Sequence, residues 1–232
     1  MAFENITAVI PVRANTAETA DNSLLSFGDV TLLEWKIVQL LRVLPPQRIV
    51  LSTNSGPAEE LAANYGVGAS RRTDDECRDN LPFSETVKAI VGKIEAKDVA
   101  ICPCVAPFLG PKEYESAFVK YNQNLASGNY RSLACVNEMR EYVWDENRPL
   151  NYSPGPTTPR MRELPAWYRI TNGLFIMSRE EMLKAGYFID SKPFLFAVNT
   201  LAGFDINYFD DYKITRELLS LYLSSGMGAG GR

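Results

Sequence analysis

The feature that most constrains the fold is an alternation of short apolar runs with amphipathic stretches. The run NITAVIPV predicts a buried strand, TLLEWKIVQLLRVL has apolar side chains at helical spacing, and PQRIVLST predicts a second strand after a Pro-Pro break. A strand, a helix and a strand in this order form a βαβ unit. The beginning of the chain therefore predicts an α/β protein.

The same alternation continues over most of the chain. It predicts helices in GPAEELAANYGVG, SETVKAIVGKIEA, GPKEYESAFVKYNQNL, REEMLKAG and FDDYKITRELLSLYLSS, and strands in DVAICPCVAPFL, RSLACVNEM, ITNGLFIMS and FLFAVN. We expect one domain over residues 1–222, with a mainly parallel sheet covered by helices on both faces. An inserted arm over about 142–167, rich in Pro, Asn and aromatic residues, and a flexible tail over 223–232 complete the predicted organisation.

Composition narrows the classes of partner. The 232 residues are 46% hydrophobic and carry a net charge of −4, which suits a globular domain and argues against nucleic acid or an anionic membrane as the main partner. No apolar run approaches the ~20 residues that cross a bilayer. Four cysteines in apolar or mixed surroundings, without a signal peptide, predict a cytoplasmic protein with packed thiols; with no histidine, the Cys-Pro-Cys run is a poor zinc site.

The expected ligand site follows from the predicted sheet. Ligands of such sheets bind beyond the carboxyl ends of the strands, which here are residues 11–13, 52–54, 104–108 and the region of Asn172. The loop after the first strand is unusual, since it contains neither the glycine nor the lysine that commonly meet phosphate there.

Six segments carry a resemblance when they are read in order: IPVR, LLEWKI, IVLSTNSGPAEELAANYGV, APFLGPKEYESAF, RELPAWYRITNGLFI and FDINYFDDYKI. Together they resemble the cytidylyltransferase family that activates acidic nine-carbon and eight-carbon sugars. That family includes the synthetases of CMP-sialic, CMP-legionaminic, CMP-pseudaminic and CMP-Kdo sugars. The resemblance covers roughly residues 6 to 220 and implies a Rossmann-like, GT-A-like nucleotidyltransferase fold and a homodimer built by the arm.

The resemblance implies two groups of nucleotide-binding residues. In the first loop Arg13 matches the family, Thr16 can stand for its serine and Asn22 for its asparagine, whereas Ala17 and Asp21 take the place of lysines. In SRRTDDECRDNLPFSETV, either Arg71 or Arg72 corresponds to an arginine that reads cytosine and ribose, and Ser84 corresponds to a serine. The residues alone also allow a surface salt bridge for Arg13 and a helix cap for Ser84.

The implied sugar subsite draws on three segments. An acidic sugar needs a planar two-donor cation, for which Arg160 is the first choice and Arg162 and Arg169 are alternatives. Cys104, Tyr168 and Asn172 complete the implied subsite. Cys102 stands where the sialic branch has glutamine, so the identity of the sugar is not carried over. The arginines could instead serve solubility or a partner subunit.

FDINYFDD resembles the Asp-x-Asp pair that holds Mg²⁺ in the family. Asp205 matches the first aspartate, and Asn207 replaces the second with an oxygen ligand that has no charge. Asp210 and Asp211 fit the first turn of the last helix, so a role in helix capping is the alternative for this segment.

The implied reaction is transfer of CMP from CTP to an acidic 2-keto sugar, with release of pyrophosphate, Mg²⁺ as cofactor, and Arg13 and Asp205 as catalytic residues. The sequence leaves two alternatives open. A catalytically weak or inactive relative that binds nucleotide or sugar is suggested by Ala17, Asp21, Cys102 and Asn207. Another nucleotidyl or glycosyl transferase could also share the fold.

Overall fold

The first strand, β1 (Ile6–Val12), is the centre of the sheet because five of its seven residues are buried in succession and it pairs on both edges. The computed structural model describes residues 3–14 and 22–224, with only the backbone of Asn22. In that part of the chain one seven-stranded sheet has the order β5-β4-β1-β6-β8-β7-β9. Its other strands are β4 (Ile49–Thr53), β5 (Gly68–Arg71), β6 (Asp98–Ile101), β7 (Ser132–Met139), β8 (Trp167–Ser178) and β9 (Phe194–Ala197).

The sheet is mainly parallel, as predicted. Strands β5, β4, β1 and β6 run parallel, and so do β7 and β9, whereas β8 runs antiparallel between β6 and β7. Because Phe175 of β8 pairs with Ile101 at the end of β6, the first half of β8 extends past the carboxyl end of β6. Residues early in β8 therefore lie at the same edge of the sheet as the ends of the parallel strands.

Six α-helices surround the sheet in the described ranges: α1 (Leu32–Leu41), α2 (Gly56–Asn64), α3 (Phe83–Val91), α4 (Pro111–Ser127), α5 (Arg179–Ala185) and α6 (Phe209–Ser224). Capping residues determine where several of these helices begin or end. Thr31 and Glu34 form a reciprocal capping box at the start of α1, and Ser55 caps α2 through the backbone N–H of Ala58. Gly128 ends α4 in the left-handed region, at φ 70°, which glycine adopts without a steric penalty.

The helices form two layers with separate apolar clusters. Alternate residues of β1, such as Ile10, pack with α1, α2, α4 and α6, while Val9 points to the other face and packs with α3 and α5. The four cysteines are free thiols and all are buried. Two covered faces confirm the predicted α/β architecture. No helix in residues 3–14 and 22–224 combines the length and apolar character needed to cross a membrane.

The arm is an ordered excursion between β7 and β8. Tyr142 packs edge-on against Tyr152 at a centroid distance of 4.7 Å, and the Nε1 of Trp144 donates to the hydroxyl of Tyr152 at 2.5 Å. Asn151 joins the two sides of the arm, since it accepts from the backbone of Val143 and donates to the carbonyl of Glu141. Tyr142, Trp144 and Tyr152 of the arm therefore contact one another, while Trp144 stays 53% exposed.

Some local predictions were wrong. Strand β5 was missed because Gly68–Arg71 has no apolar alternation, and it forms because the edge of β4 offers a pairing partner. A small ribbon, β2 (Ser26–Phe27) with β3 (Val30–Thr31), was also missed. Ser84 does not cap α3, whose N-cap is Pro82. Helix α6 continues to Ser224, so the tail prediction begins two residues too early, and its remainder lies outside the described residues.

Candidate active site

An open cavity of about 600 Å³ lies beyond the carboxyl ends of β1 and β4. Most of its lining residues have polar side chains; the lining comes from Ala14, Asn54, Asp74, Cys77, Arg78, Asp79 and Asn80. Asn54 ties the two sides together, because its Oδ1 accepts from the backbone N–H of Ala14 at 2.8 Å and its Nδ2 donates to Asp74 at 2.9 Å. The cavity is where the sequence places the nucleotide, at the end of the first two parallel strands.

Arg72, at the end of β5, is 3% exposed and is not part of the cavity lining. Its Nη2 donates to the carbonyls of Val12, at 2.6 Å, and Ser52, at 3.1 Å, which are at the ends of β1 and β4. Burial lowers the pKa of the guanidinium from its ordinary value. Its Nε and the Ser52 hydroxyl are buried without a partner among the described residues. Arg72 thus links the carboxyl ends of β1 and β4.

None of the other predicted nucleotide residues with a described side chain lines the cavity. Arg13 donates to Asp79 at 2.6 Å and to the carbonyl of Cys77 at 3.4 Å, so the salt bridge weighed for it is present. Arg71, on the edge strand β5, forms an ion pair with Glu59 of α2. Ser84 is exposed at the start of α3, outside the cavity lining. Thr16 and the side chain of Asn22 lie outside the described residues.

A second polar cluster lies on β8, two strands away from β1 in the sheet. Arg169 donates through Nη1 to Oδ1 of Asp205 at 2.7 Å, and through Nη2 to Asn137 at 2.8 Å and the carbonyl of Gly203 at 2.9 Å. The Asp205 side chain is 3% exposed, whereas that of Arg169 is 42% exposed. The cation therefore faces solvent while its carboxylate partner is held inside.

Asn172 completes this cluster. Its backbone N–H and its Nδ2 both donate to Oδ2 of Asp205, at 3.1 and 3.0 Å, and Nδ2 also lies 3.2 Å from Oδ1 of Asn207. The structure thus brings together Arg169, Asn172, Asp205 and Asn207, which the sequence had assigned separately to sugar and metal.

The loop after β6, residues 102–110, lies between the cavity and the β8 cluster; we call it the β6 loop. The N–H of Ile206, next to Asp205, donates to the carbonyl of Val105 at 2.8 Å. A Cβ on Gly173, next to Asn172, would lie only 3.0 Å from a Leu109 methyl group. Cys104 is 3% exposed, so its thiol packs inward and the predicted sugar contact would require another part of this loop.

The predicted arm residues are not part of this cluster. Arg160 and Arg162 are exposed near a short 3₁₀ turn, Met161–Glu163, and neither makes a described contact with Arg169 or Asp205. Tyr168 is 44% exposed and pairs in register with Glu138. Among the three arginines considered for a sugar carboxylate, Arg169 is therefore the one held at the strand ends.

The donor set around Asp205 is compatible with Mg²⁺ in its chemistry. Asp205 and Asn207 supply oxygens, which Mg²⁺ prefers, and protein-bound Mg²⁺ often has one or two carboxylates with the rest of its ligands from substrate phosphates and water. No group of three or more Asp, Glu, His or Cys residues forms a complete cage in residues 3–14 and 22–224. Both oxygens of Asp205 accept from Arg169 and Asn172 here, so a metal would compete with these contacts.

Sequence reasoning missed several residues of these clusters. Asn54 was named only as part of the strand end 52–54 and without a role, whereas Asn137 and Asp79 were not named at all. Lys36 was also missed because it lies within an amphipathic helix, yet it is fully buried and donates to the β6 loop. Its position one residue before the buried Ile37 was the available signal.

The order of strands and the helices on both faces define the chain as a single α/β domain with a mainly parallel seven-stranded sheet. A solved CMP:2-keto-3-deoxy-manno-octonic acid synthetase complexed with CTP is similar over 94% of this chain and 99% of that chain, with a TM-score of 0.64 and 14% identity. A cytidylyltransferase from Leptospira borgpetersenii has a TM-score of 0.61 and 14% identity over 94% and 87% of the two chains.

A third similar structure is 4-diphosphocytidyl-2C-methyl-D-erythritol synthase from Anaerococcus prevotii, with a TM-score of 0.60 and 12% identity over 93% of this chain and 98% of that chain. At these identities the likeness is one of fold. No protein-family model and no curated protein sequence matches the chain significantly.

Proposed function

We propose that the protein transfers CMP from CTP to an acidic 2-keto sugar of the sialic-acid type and releases pyrophosphate. The observation that carries this proposal is the presence, on one edge of the sheet, of both an open polar cavity at β1 and β4 and a cation-containing cluster on β8. The three similar structures are named as cytidylyltransferases or as synthases whose products contain cytidyl groups, which supports CTP as the nucleotide.

The spacing of the two parts suits the reaction. Neighbouring strands lie about 4.8 Å apart, so β1 and β8, which are separated by β6, are roughly 10 Å apart. A nucleoside in the cavity would then direct its phosphates along the strand ends towards β8. There the hydroxyl of the sugar could approach the α-phosphate in line with the departing pyrophosphate.

Arg169 is the residue we assign to the sugar carboxylate. A guanidinium has five N–H donors, and three of them are used by Asp205, Asn137 and Gly203. These contacts fix the plane of the group, so that its remaining donors can meet an anion without a large loss of side-chain entropy. Asp205 would orient Arg169 before the substrate binds.

Mg²⁺ is part of the proposal, with Asp205 and Asn207 as the protein groups that would hold it. The ion supplies charge neutralisation at the phosphates, which is important for a chain with Ala17 and Asp21 where the resemblance implies lysines. The protein's own contribution is to orient the acidic sugar through Arg169 and to hold the nucleoside at Asn54.

The direct test is pyrophosphate release from CTP with a panel of acidic sugars: N-acetylneuraminate, legionaminate, pseudaminate and 2-keto-3-deoxy-manno-octonate. Release with one or more of them, and none with neutral hexoses, is the expected result. ATP, GTP and UTP serve as nucleotide controls. Turnover with a sugar phosphate in place of every acidic sugar would contradict the assigned substrate class while keeping the reaction type.

A second candidate is a weak or inactive relative that binds nucleotide without turning it over. The observation that favours it is the pairing of Arg13 with Asp79 beside Asp74, which places carboxylates where phosphates would need cations. Binding of CTP measured by calorimetry, together with no pyrophosphate release from any sugar of the panel, would support this alternative.

A further inference from the structure

Lys36 is a fully buried lysine in the middle of α1, at 0% exposure. Its Nζ donates to the carbonyl of Ala106 at 2.9 Å and to the hydroxyl of Tyr114 at 2.6 Å. Within the described ranges no carboxylate lies within ion-pair distance of it, so both of these partners are uncharged. A buried ammonium without a counter-ion is costly, because neutral acceptors replace only part of its hydration.

The apolar surroundings make this lysine unexpected. The buried face of α1 is otherwise formed largely by Leu32, Leu33, Ile37 and Leu40, and an apolar residue at position 36 would extend that face. The alkyl stem of a lysine can pack in this way, but its charged end cannot reach solvent here. Retaining a costly charge in a core is more typical of a functional position than of a stabilising one.

Lys36 belongs to a set of α1 side chains that hold the β6 loop. Nε1 of Trp35 and Nε2 of Gln39 both donate to the carbonyl of Pro107, at 2.7 and 2.8 Å, next to the Ala106 carbonyl that Lys36 binds. On its other side the β6 loop contacts the candidate sugar subsite, through the Val105 carbonyl and the packing against Gly173. The loop therefore connects Lys36 with the Arg169–Asp205 cluster.

We propose that Lys36 is a positioning residue of the reaction proposed above: a buried cation that fixes the β6 loop behind the candidate sugar subsite and attracts an acidic sugar to it. The charge of Lys36 acts through the low-dielectric protein interior, where solvent and salt screen it far less than they screen the charge of a surface lysine. This inference rests on the proposed function for the identity of the anion.

The proposal can be tested through the titration of Lys36, because its charge changes within an accessible range of pH. Burial lowers the pKa of its ammonium to about 8, and the groups that face it are the Cys102 and Cys104 thiols of the β6 loop, the Cys135 thiol of β7 and the Tyr114 phenol of α4. Burial also raises the pKa of Cys102 to about 12 and of Cys135 to about 11, so these thiols remain neutral near pH 8. Lys36 thus changes charge near pH 8, where the Cys102 and Cys135 thiols do not.

Linkage fixes the direction of the effect. An anion that binds the protonated form raises the pKa of Lys36, so its affinity must fall as the pH rises through the pKa of the free protein. A shift of one pKa unit corresponds to about a tenfold change in affinity. We therefore expect the KM for the acidic sugar to rise about tenfold above pH 8, while the KM for CTP and kcat change little.

The experiment measures both KM values and kcat between pH 6.5 and 9.5 for the native protein, Lys36→Met and Gln39→Met. The sugars are N-acetylneuraminate and 2-keto-3-deoxy-manno-octonate, whose carboxylates stay ionised over this range. Lys36→Met should have a raised KM for the sugar already at pH 7 and no further rise above pH 8. Gln39→Met removes another donor to the β6 loop without removing charge, so it should keep the native dependence on pH.

A native KM for the sugar that is independent of pH, or a Lys36→Met protein with the native value and slope, would overturn the proposal. Should Lys36→Met fail to fold, the native pH profile decides the matter by the same criterion. If no sugar is turned over, the proposed function fails separately. Binding of the two sugars by calorimetry then tests Lys36 alone: affinity lost above pH 8 supports its role, and absence of binding or a flat profile overturns it.

Discussion

Arg169 and Asp205 form an ion pair of 2.7 Å in which the side chain of the acid is 3% exposed and that of the base is 42% exposed. The pair connects β8 with the segment before α6, and Asn172 adds two further donors to the same carboxylate. Asp205, which the sequence analysis assigned to a metal, therefore also holds Arg169 and Asn172 together in the candidate site.

Replacing Asp205 by alanine should lower both stability and turnover. The change leaves the donors of Arg169 and Asn172 without their acceptor, which costs about 1–3 kcal/mol, towards the lower end because the guanidinium can be partly hydrated. Urea denaturation and pyrophosphate release measure the two effects. Asp210→Ala is the matched control, since Asp210 is 83% exposed and its removal should change stability by less than about 0.5 kcal/mol. Native stability for Asp205→Ala would contradict the structural role.

The buried charge of Lys36 should make stability depend on pH. Its pKa is lowered from 10.5 to about 8 on folding, so the unfolded chain binds more protons between these values and the free energy of unfolding rises with pH there. The gain is about 1.4 kcal/mol for each pH unit above 8, up to the unfolded pKa. We expect the difference in stability between the native protein and Lys36→Met to grow in favour of the native protein from pH 8 to 10, as measured by urea denaturation. A constant difference would refute the assigned titration.

The difference in stability between the native protein and Lys36→Met cancels the opposing contributions that other titrating groups make. Burial raises the pKa of the Tyr114 phenol and of the Cys102 thiol, so these groups ionise first in the unfolded chain and reduce stability at alkaline pH. The native protein and Lys36→Met both contain these groups. The difference between their stabilities therefore reports on Lys36, whereas the pH dependence of either protein alone does not.

The first loop should respond to added positive charge. Asp21→Lys is expected to lower the KM for CTP or raise kcat by about tenfold, because a charge-assisted contact with phosphate is worth roughly 1.5–3 kcal/mol. Ala17→Lys should act less strongly, since it removes no repelling carboxylate. Asp29→Lys, an equal change of charge outside this loop, is the control. Steady-state kinetics with varied CTP is the measurement, and unchanged constants for Asp21→Lys would exclude the loop from the site.

CTP should protect the protein against heat more than ATP, GTP or UTP does, in the presence of Mg²⁺. The reason is that binding to the native state alone raises the free energy of unfolding by RT ln(1 + c/Kd), where c is the concentration of free CTP, and with it the melting temperature. Asn54→Ala should reduce the shift, because this side chain joins the two sides of the cavity. Thermal unfolding followed by fluorescence is sufficient. Equal shifts with all four nucleotides would remove the assignment to cytidine.

The arm predicts a homodimer. Trp144 is 53% exposed and Met161 is 51% exposed, and an apolar surface of this kind is often covered by a second subunit. Light scattering at micromolar concentration should give twice the mass of one chain, and Trp144→Ser should shift it towards the monomer. Tyr208→Ser, at a side chain that is 78% exposed outside the arm, should leave the mass unchanged. A native monomer would defeat this prediction.

The sequence by itself determined the succession of strands and helices, because the period of apolar residues reflects which face each element buries. It predicted the mainly parallel sheet and the two covered faces, it named residues 52–54 and the region of Asn172 from the ends of strands, and it proposed Asp205 from the resemblance of FDINYFDD to an Asp-x-Asp pair. Strand β5 escaped it because Gly68–Arg71 is stabilised by pairing with β4 and has no apolar pattern of its own.

Only the tertiary structure decided which polar groups meet. The reversed direction of β8 brings Arg169 and Asn172 to the edge where β1 and β4 end, and local sequence contains no signal for strand direction. Asp205 became the partner of Arg169, 36 residues away, and Lys36 reached a loop 70 residues further along the chain. Such contacts depend on how separate elements pack against each other. Whether a single charged residue of an amphipathic helix is buried is likewise decided by the tertiary packing of that helix.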